Sequence, residues 1–168
     1  MPELRPLPRL RSPNRQTVLD ATPIDGLLDD DHQARVVWDF CRGLDLSPLT
    51  DPIRSRQGHP GRAALDPRLA IGLWLYATLE GVGSARALAV LCTEHNAFRW
   101  LCGGVSVNYH TLADVRVEHL DFLDSLLTQL GGYNNRAGEA PPGPFPMWIG
   151  LRRMADFAHA WQIFGQHR

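Results

Sequence analysis

Residues 66–83 read DPRLAIGLWLYATLEGVG, and their pattern predicts a buried central helix. Asp66 is a favourable N-cap residue and Pro67 suits the first helical position, so a helix is predicted to start at Pro67. Its apolar residues fall on nearly every side, which is typical of a helix buried by several neighbours. Gly81 and Gly83 end the helix.

Apolar residues at steps of three and four predict four more helices around this one. They cover roughly 31–44, a segment capped by Ser84, 97–102, and a long amphipathic stretch over 108–130. The aspartates at 29–31 are predicted to cap the first, and Gly103-Gly104 to stop the fourth. Because no alternating strand pattern occurs, the chain is predicted to be an all-α, compact bundle of about five helices.

The ends of the chain differ from this bundle in composition. Residues 1–15 hold four arginines among four prolines and predict a mobile basic arm. The helical domain is expected over 16–130, followed by a Gly/Pro linker at 131–146. Apolar residues recur at helical spacing between Met147 and Trp161, so 147–168 is predicted to be a short amphipathic helix or a disordered tail.

Composition and sequence pattern argue against a membrane-spanning or secreted protein. The chain has 168 residues, 44% hydrophobic and 21% charged, which fits one soluble domain with tails. No apolar run is long enough for a membrane span, and the start lacks a secretory signal pattern. Three cysteines without a C-x-x-C pair fit a reducing compartment, so a cytoplasmic protein is expected. No cofactor is expected either, since no phosphate-loop or metal-binding motif occurs.

Nucleic-acid binding is predicted from two local features, because a net charge of −1 gives no global attraction to DNA. The first is a loop rich in arginine, glycine and proline, which contains Arg54, Arg56, Arg62 and Arg68. The second is the start of the fifth helix, which follows the Gly-Gly turn in a helix-turn-helix-like layout and offers Asn108, His110, Thr111 and Arg116. These side chains could contact phosphates or base edges.

Other interpretations of the same residues remain open. A plain bundle with a solvated basic loop explains the arginines equally well, and Asp114, Glu118, Asp121 and Asp124 make the rest of the fifth helix acidic. The carboxylates otherwise sit at helix starts, and no nucleophile or phosphate-loop motif occurs, so no catalytic site is predicted. Cys92, His95, Cys102 and His110 are spaced only loosely like zinc ligands, so no metal site is predicted.

Several short blocks of sequence, in one order and spacing, resemble a known family. They are NRQ at 14–16, DDH at 30–32, HPGR at 59–62, LDPR at 65–68, LWLY at 73–76, AFRWLCGG at 97–104, HTL at 110–112 and VR at 115–116. Over about residues 12–130 the chain resembles the N-terminal InsH-type domain of bacterial insertion-sequence transposases. The resemblance implies a helical domain that helps to bind the terminal inverted repeats of the element.

The resemblance stops where the family's catalytic domain would begin. Members continue into an RNase H-like domain with an Asp-Asp-Glu set and divalent metal, whereas 131–168 has no strand pattern and no positions matching those residues. The family also often places Pro-Asp where this chain has Val107 to Tyr109. The resemblance therefore implies a truncated, catalytically inactive transposase fragment whose partner is double-stranded DNA. The alternative is a protein-interaction module that associates with itself or with an intact transposase.

Overall fold

The computed structural model describes residues 6–16, 18–19, 22–55, 57 and 63–136. The helices in these ranges are α1 (Gln33–Arg42), α2 (Ser47–Thr50), α3 (Pro67–Leu79), α4 (Ala85–Glu94), α5 (Asn96–Cys102), α6 (Tyr109–Glu118) and α7 (Leu120–Arg136), with a 3-10 turn at Ile24–Leu27. The chain divides into two units after Leu127, and the described part of the second is the end of α7. The predicted tail at 147–168 and most of the predicted linker lie outside the described residues.

The predicted central helix is confirmed as α3. Asp66 caps it by accepting a hydrogen bond from the Arg68 backbone N–H at 2.9 Å. Residues 69–77 are all buried, and α1, α5 and α6 pack around the helix. The indole Nε1–H of Trp74 donates to the Leu112 carbonyl at 2.9 Å, which ties α3 to α6 through a buried hydrogen bond. The mostly helical fold class is therefore confirmed.

The cap of α1 differs from the prediction. His32, rather than an aspartate at 29–31, caps this helix, and its Nδ1 accepts from the Ala34 backbone N–H at 3.1 Å. The chain turns just before it, because the His32 N–H bonds to the Asp29 carbonyl. This turn moves the cap position past the three aspartates. The other predicted caps are confirmed, with Ser84 at the start of α4 and left-handed Gly103 at the end of α5.

The predicted long helix over 108–130 is two helices. His119, with φ −128° and ψ 28°, separates α6 from α7. The His119 N–H still bonds to Val115 and its carbonyl still accepts from Leu123, so hydrogen bonds with four-residue spacing flank the break. The apolar periodicity therefore runs through the break, and the sequence does not reveal it. Helix α7 also continues through Gly131 and Gly132 to Arg136, past the predicted end.

The described residues 6–16, here called the N-terminal strap, form extended structure where a mobile arm was predicted. Strand β1 (Leu10–Arg11) pairs in parallel with β4 (Ala64–Leu65), and between them in sequence β2 (Val18–Leu19) pairs with β3 (Thr22–Pro23) antiparallel. Proline excludes helix here but allows extended backbone, which hydrogen-bonds to neighbouring loops. Strands of two residues are too short to produce a visible alternation in sequence.

Nothing among the described helices has the length and apolar character that crossing a lipid bilayer would require.

Candidate nucleic-acid interface

A polar groove of about 490 Å³ lies where β1, β4 and the start of α6 meet. Its lining residues are Arg11, Ala63, Ala64, Leu65, Ser106, Asn108 and Thr111. Among the described residues, the lining combines one guanidinium with hydroxyl and amide groups and includes no carboxylate side chain. Two of the predicted DNA-binding residues, Asn108 and Thr111, are thus brought together with an arginine from the strap.

Arg11 is held at this groove by main-chain atoms from both sides. Its Nε donates to the Ala63 carbonyl at 3.2 Å and its Nη1 to the Ser106 carbonyl at 3.0 Å. Strand pairing fixes its backbone opposite Leu65. Sequence reasoning placed Arg11 only in a mobile arm, because a two-residue parallel pairing leaves no periodic signal.

The start of α6 presents polar side chains in a defined arrangement. Asn108 caps the helix, since its Oδ1 accepts from the His110 backbone N–H at 2.9 Å. The amide nitrogen of Asn108 takes no part in this cap. His110 is exposed and its ring lies against that of Tyr109, with ring centroids 3.9 Å apart. Thr111 is half-buried on the groove wall.

The arginine-rich loop is connected to the strap where the structure describes it. Arg54 is exposed, and backbone hydrogen bonds join the flanking residues Ser55 and Gln57 to Arg9 and Leu7. Arg56 and Arg62 of the predicted set lie outside the described residues. The strap therefore contacts both this loop and the segment that precedes α6.

Arg68 and Arg116, both predicted to contact DNA, have their guanidinium groups engaged inside the helical domain. Arg68 donates from Nε to the Cys41 carbonyl at 2.9 Å and from Nη2 to the Leu44 carbonyl at 3.3 Å, at the end of α1. Arg116 lies 4.7 Å above the Trp74 ring and donates to the Gly83 carbonyl. Burial lowers the pKa of Arg116. Their arrangement favours structural roles for both.

Comparison with known families identifies the domain. The family described as Transposase domain (DUF772) matches residues 23–118, more than half of the chain. The chain belongs to this transposase domain family. No curated protein and no solved structure matches it. The resemblance to a transposase N-terminal domain, noted from the sequence, is therefore confirmed as membership of a transposase domain family.

The matched part of the transposase domain runs from the residue before the 3-10 turn to the last residue of α6. It contains every predicted DNA-binding residue, described or not, and excludes the strap. Arg11 therefore completes the groove from outside the matched range.

A tryptophan cluster, made of Arg15, Trp38, Trp100, Arg35 and Asp25, anchors the strap on the transposase domain. The Arg15 guanidinium carbon lies 4.6 Å from the Trp38 ring and 4.2 Å from the Trp100 ring. Its Nη1 donates to the Leu101 carbonyl at 3.1 Å. Burial lowers the pKa of Arg15 to about 10. The strap is thus attached by a desolvated cation between two indoles.

Asp25 joins the same cluster by accepting two hydrogen bonds. Its Oδ1 accepts from Trp100 Nε1 at 3.1 Å and from Arg35 Nη1 at 2.8 Å. These two donors, the indole first, hold the pKa of Asp25 below its ordinary value. Arg35 also lies 5.0 Å from the Trp100 ring, so both arginines of the cluster contact that indole.

The cysteine and histidine residues that were considered for zinc have separate roles in the transposase domain. Cys92 and Cys102 are buried free thiols, His95 caps α5 through Nδ1, and His110 is exposed beside Tyr109. Over the ranges that the structure describes, no three His, Cys, Asp or Glu side chains form a group that could hold a metal ion.

Proposed function

We propose that this transposase domain binds double-stranded DNA and recognises the terminal inverted repeats of its element. The observation that carries the proposal is the polar groove, where Arg11 lies beside the capped, polar start of α6. Arginine supplies sequence-independent contacts to phosphates, whereas side chains at a helix start can contact base edges. Both kinds of group meet on one surface here.

Within this proposal the arginine-rich loop supplies affinity and the start of α6 supplies base preference. Arg54, Arg56 and Arg62 are assigned to phosphates, and Asn108 and His110 to base edges, with Thr111 on the groove wall. Helices α5 and α6 form a helix-turn-helix-like unit in this view. Their connection spans residues 103–108, which is longer than the usual turn of three or four residues.

The test uses fluorescence anisotropy to compare a duplex that carries a candidate inverted repeat from the DNA beside the gene with a scrambled duplex. Arg54→Ala should weaken binding to both duplexes alike and lower the slope of log K against log salt by about 0.9. Asn108→Ser retains a capping side chain but lacks the amide, so discrimination between the duplexes should fall by roughly 1–3 kcal/mol.

Arg42→Gln is the matched control, because Arg42 is an exposed arginine of α1 that pairs with Asp39 at 3.3 Å and lines no part of the groove. It should bind both duplexes like the natural protein. Failure of the natural protein to bind either duplex at low salt would defeat the proposed function. Identical behaviour of the Arg54 and Asn108 variants would defeat the division of roles.

We also propose that residues 1–168 do not themselves cut or join DNA and that they act in the cytoplasm. Two-metal strand transfer needs several carboxylates converging on metal ions. The sequence offers no positions that match the family's Asp-Asp-Glu set. Strand cleavage by the purified chain in Mg²⁺ or Mn²⁺ would contradict this.

A second candidate function is a protein-interaction module that modulates an intact transposase. An apolar groove of about 200 Å³, lined by residues including Leu49, Ile53 and Val115, favours it. Exposed apolar surface is typical of association sites. Light scattering and co-purification with an intact relative test this candidate; a monomer that binds no relative would remove it.

A further inference from the structure

Arg11 in the polar groove is a candidate DNA contact, and this inference rests on the proposed DNA binding. Arg11 is preorganised, because backbone carbonyls from two separate segments, those of Ala63 and Ser106, accept hydrogen bonds from its Nε and Nη1. A guanidinium fixed in this way loses little side-chain entropy when it binds a ligand.

The charge of Arg11 is uncompensated within the part of the chain that the structure describes. No ion pair joins Arg11 to a described carboxylate, and its Nη2 donates no hydrogen bond to a described residue. Asp66, whose backbone N–H bonds to the Arg11 carbonyl, directs its own carboxylate to Ser12 at 2.6 Å and to the Arg68 N–H at 2.9 Å. Arg11 thus retains donors and positive charge for an external anion.

The remaining polar groups of the groove fit an oxyanion. Ser106, Asn108 and Thr111 contribute neutral hydroxyl and amide side chains, and none of the lining residues that the structure describes is acidic. A charged donor beside neutral donors, without a competing carboxylate, suits a phosphate. The volume of about 490 Å³ is in the range of pockets that hold molecules much larger than one ion, so it can admit a phosphate with its flanking sugars.

We propose that the groove between β1 and α6 seats a backbone phosphate of the bound DNA on the guanidinium of Arg11. The strap, although outside the matched family range, then forms part of the DNA-binding surface. The Asn108 side chain, which lines the same groove, then contacts a base edge next to that phosphate. Because phosphate contacts fix the position of a protein on DNA, the strap then determines which base pairs the start of α6 faces.

The experiment measures anisotropy of a scrambled duplex with the full chain between about 0.05 and 0.2 M salt. Arg11→Gln should lower the slope of log K against log salt by about 0.9 and weaken binding about tenfold near 0.1 M salt. Arg11→Lys, which keeps the charge, should keep the slope of the natural protein. Arg42→Gln should alter neither quantity, because Arg42 lines no part of the groove.

Circular-dichroism melts of each variant show whether weaker binding comes from a lost contact or from lost folding. If Arg11→Gln is unfolded under the assay conditions, the slope of Arg11→Lys is used to test the inference instead. A normal slope for folded Arg11→Gln, together with a reduced slope for Arg54→Ala, overturns this inference and leaves the proposed function intact. A reduced slope for Arg11→Lys also overturns it. Absence of duplex binding by the natural protein overturns the proposed function itself.

A free phosphate ligand is separated from a DNA phosphate in the same series. In one outcome, inorganic phosphate raises the melting temperature of the natural protein but not that of Arg11→Gln, and the salt slope of duplex binding is the same for both proteins. The groove would then be a site for a small anion. That result overturns the DNA assignment. A difference between the two proteins in the salt slope of duplex binding supports the assignment to a DNA phosphate.

Discussion

The tryptophan cluster and the polar groove use the same type of side chain for opposite purposes. In the cluster, Arg15 lies between two indole rings, is desolvated, and donates to a backbone carbonyl. In the groove, Arg11 is also held by carbonyls but has no aromatic partner or carboxylate in the described ranges, and it lines an open cavity. The first arrangement stabilises the fold, whereas the second leaves charge available.

The difference shows that the number of arginines in a segment does not measure its capacity to bind DNA. Arg68 and Arg116 belong with Arg15, because carbonyls and an indole occupy their guanidinium groups. Arg54 belongs with Arg11, because it is exposed on the loop that the strap contacts. Substitutions should therefore divide the arginines into stability and binding groups.

The largest effect is expected where the strap crosses the end of α5. Gly103 has φ +52°, and a Cβ there would lie 2.4 Å from Arg15 Nη1 and 2.6 Å from the Asn14 backbone nitrogen. Gly103→Ala should therefore lower the free energy of unfolding by about 3 kcal/mol, measured by urea denaturation.

Gly131→Ala is the control for Gly103→Ala. A Cβ at Gly131 meets no atom within 4 Å among the described residues beyond its own stretch of helix, and the residue is inside α7. This substitution should raise stability by about 0.5–1 kcal/mol through helix propensity. Equal effects of the two substitutions would show that the strap does not rest on Gly103.

Arg15→Ala tests the cluster against the groove. Removing the cation from between Trp38 and Trp100 should cost about 2 kcal/mol of folding stability, because two cation–π contacts and their packing are lost. Arg54→Ala, at an exposed position, should leave the melting temperature within error. A similar melting temperature for the two variants would contradict the distinction between the regions.

Arg116→Ala is expected to have a smaller effect, about 1 kcal/mol, on folding stability. It should leave the salt dependence of duplex binding unchanged, since the guanidinium lies on Trp74 and donates to the Gly83 carbonyl. Anisotropy and thermal melts on the same sample check both expectations. A reduced salt slope for this variant would show that Arg116 contacts DNA.

The smallest effect concerns pH. Trp100 and Arg35 lower the pKa of Asp25, so its carboxylate stabilises the fold above its ordinary pKa of about 3.9, and this contribution disappears as pH falls through the lowered pKa. Asp25→Asn should therefore melt earlier than the natural protein at neutral pH, and the gap should close below about pH 4. A gap that stays constant across this range would exclude an ionised Asp25 from the cluster.

Local sequence was enough to predict the helical class, the central helix from Pro67, the caps at Ser84 and Gly103, and the transposase family. These features depend on local spacing, capping chemistry and ordered motifs, all of which lie within short segments of chain. The sequence also indicated Asn108 and Thr111 as site residues, since a polar helix start is visible locally.

Tertiary contacts determine which arginines are available, why the strap is extended and why Arg11 lies in the groove. Arg11 lies 52 residues from Ala63 and 95 from Ser106 in sequence, so its surroundings depend on contacts that no local pattern encodes. The same is true of Arg116, whose side chain reaches Trp74 and Gly83 across the fold. Burial and hydrogen bonding are set by distant neighbours, and these decide whether a guanidinium stabilises the protein or remains available for a ligand.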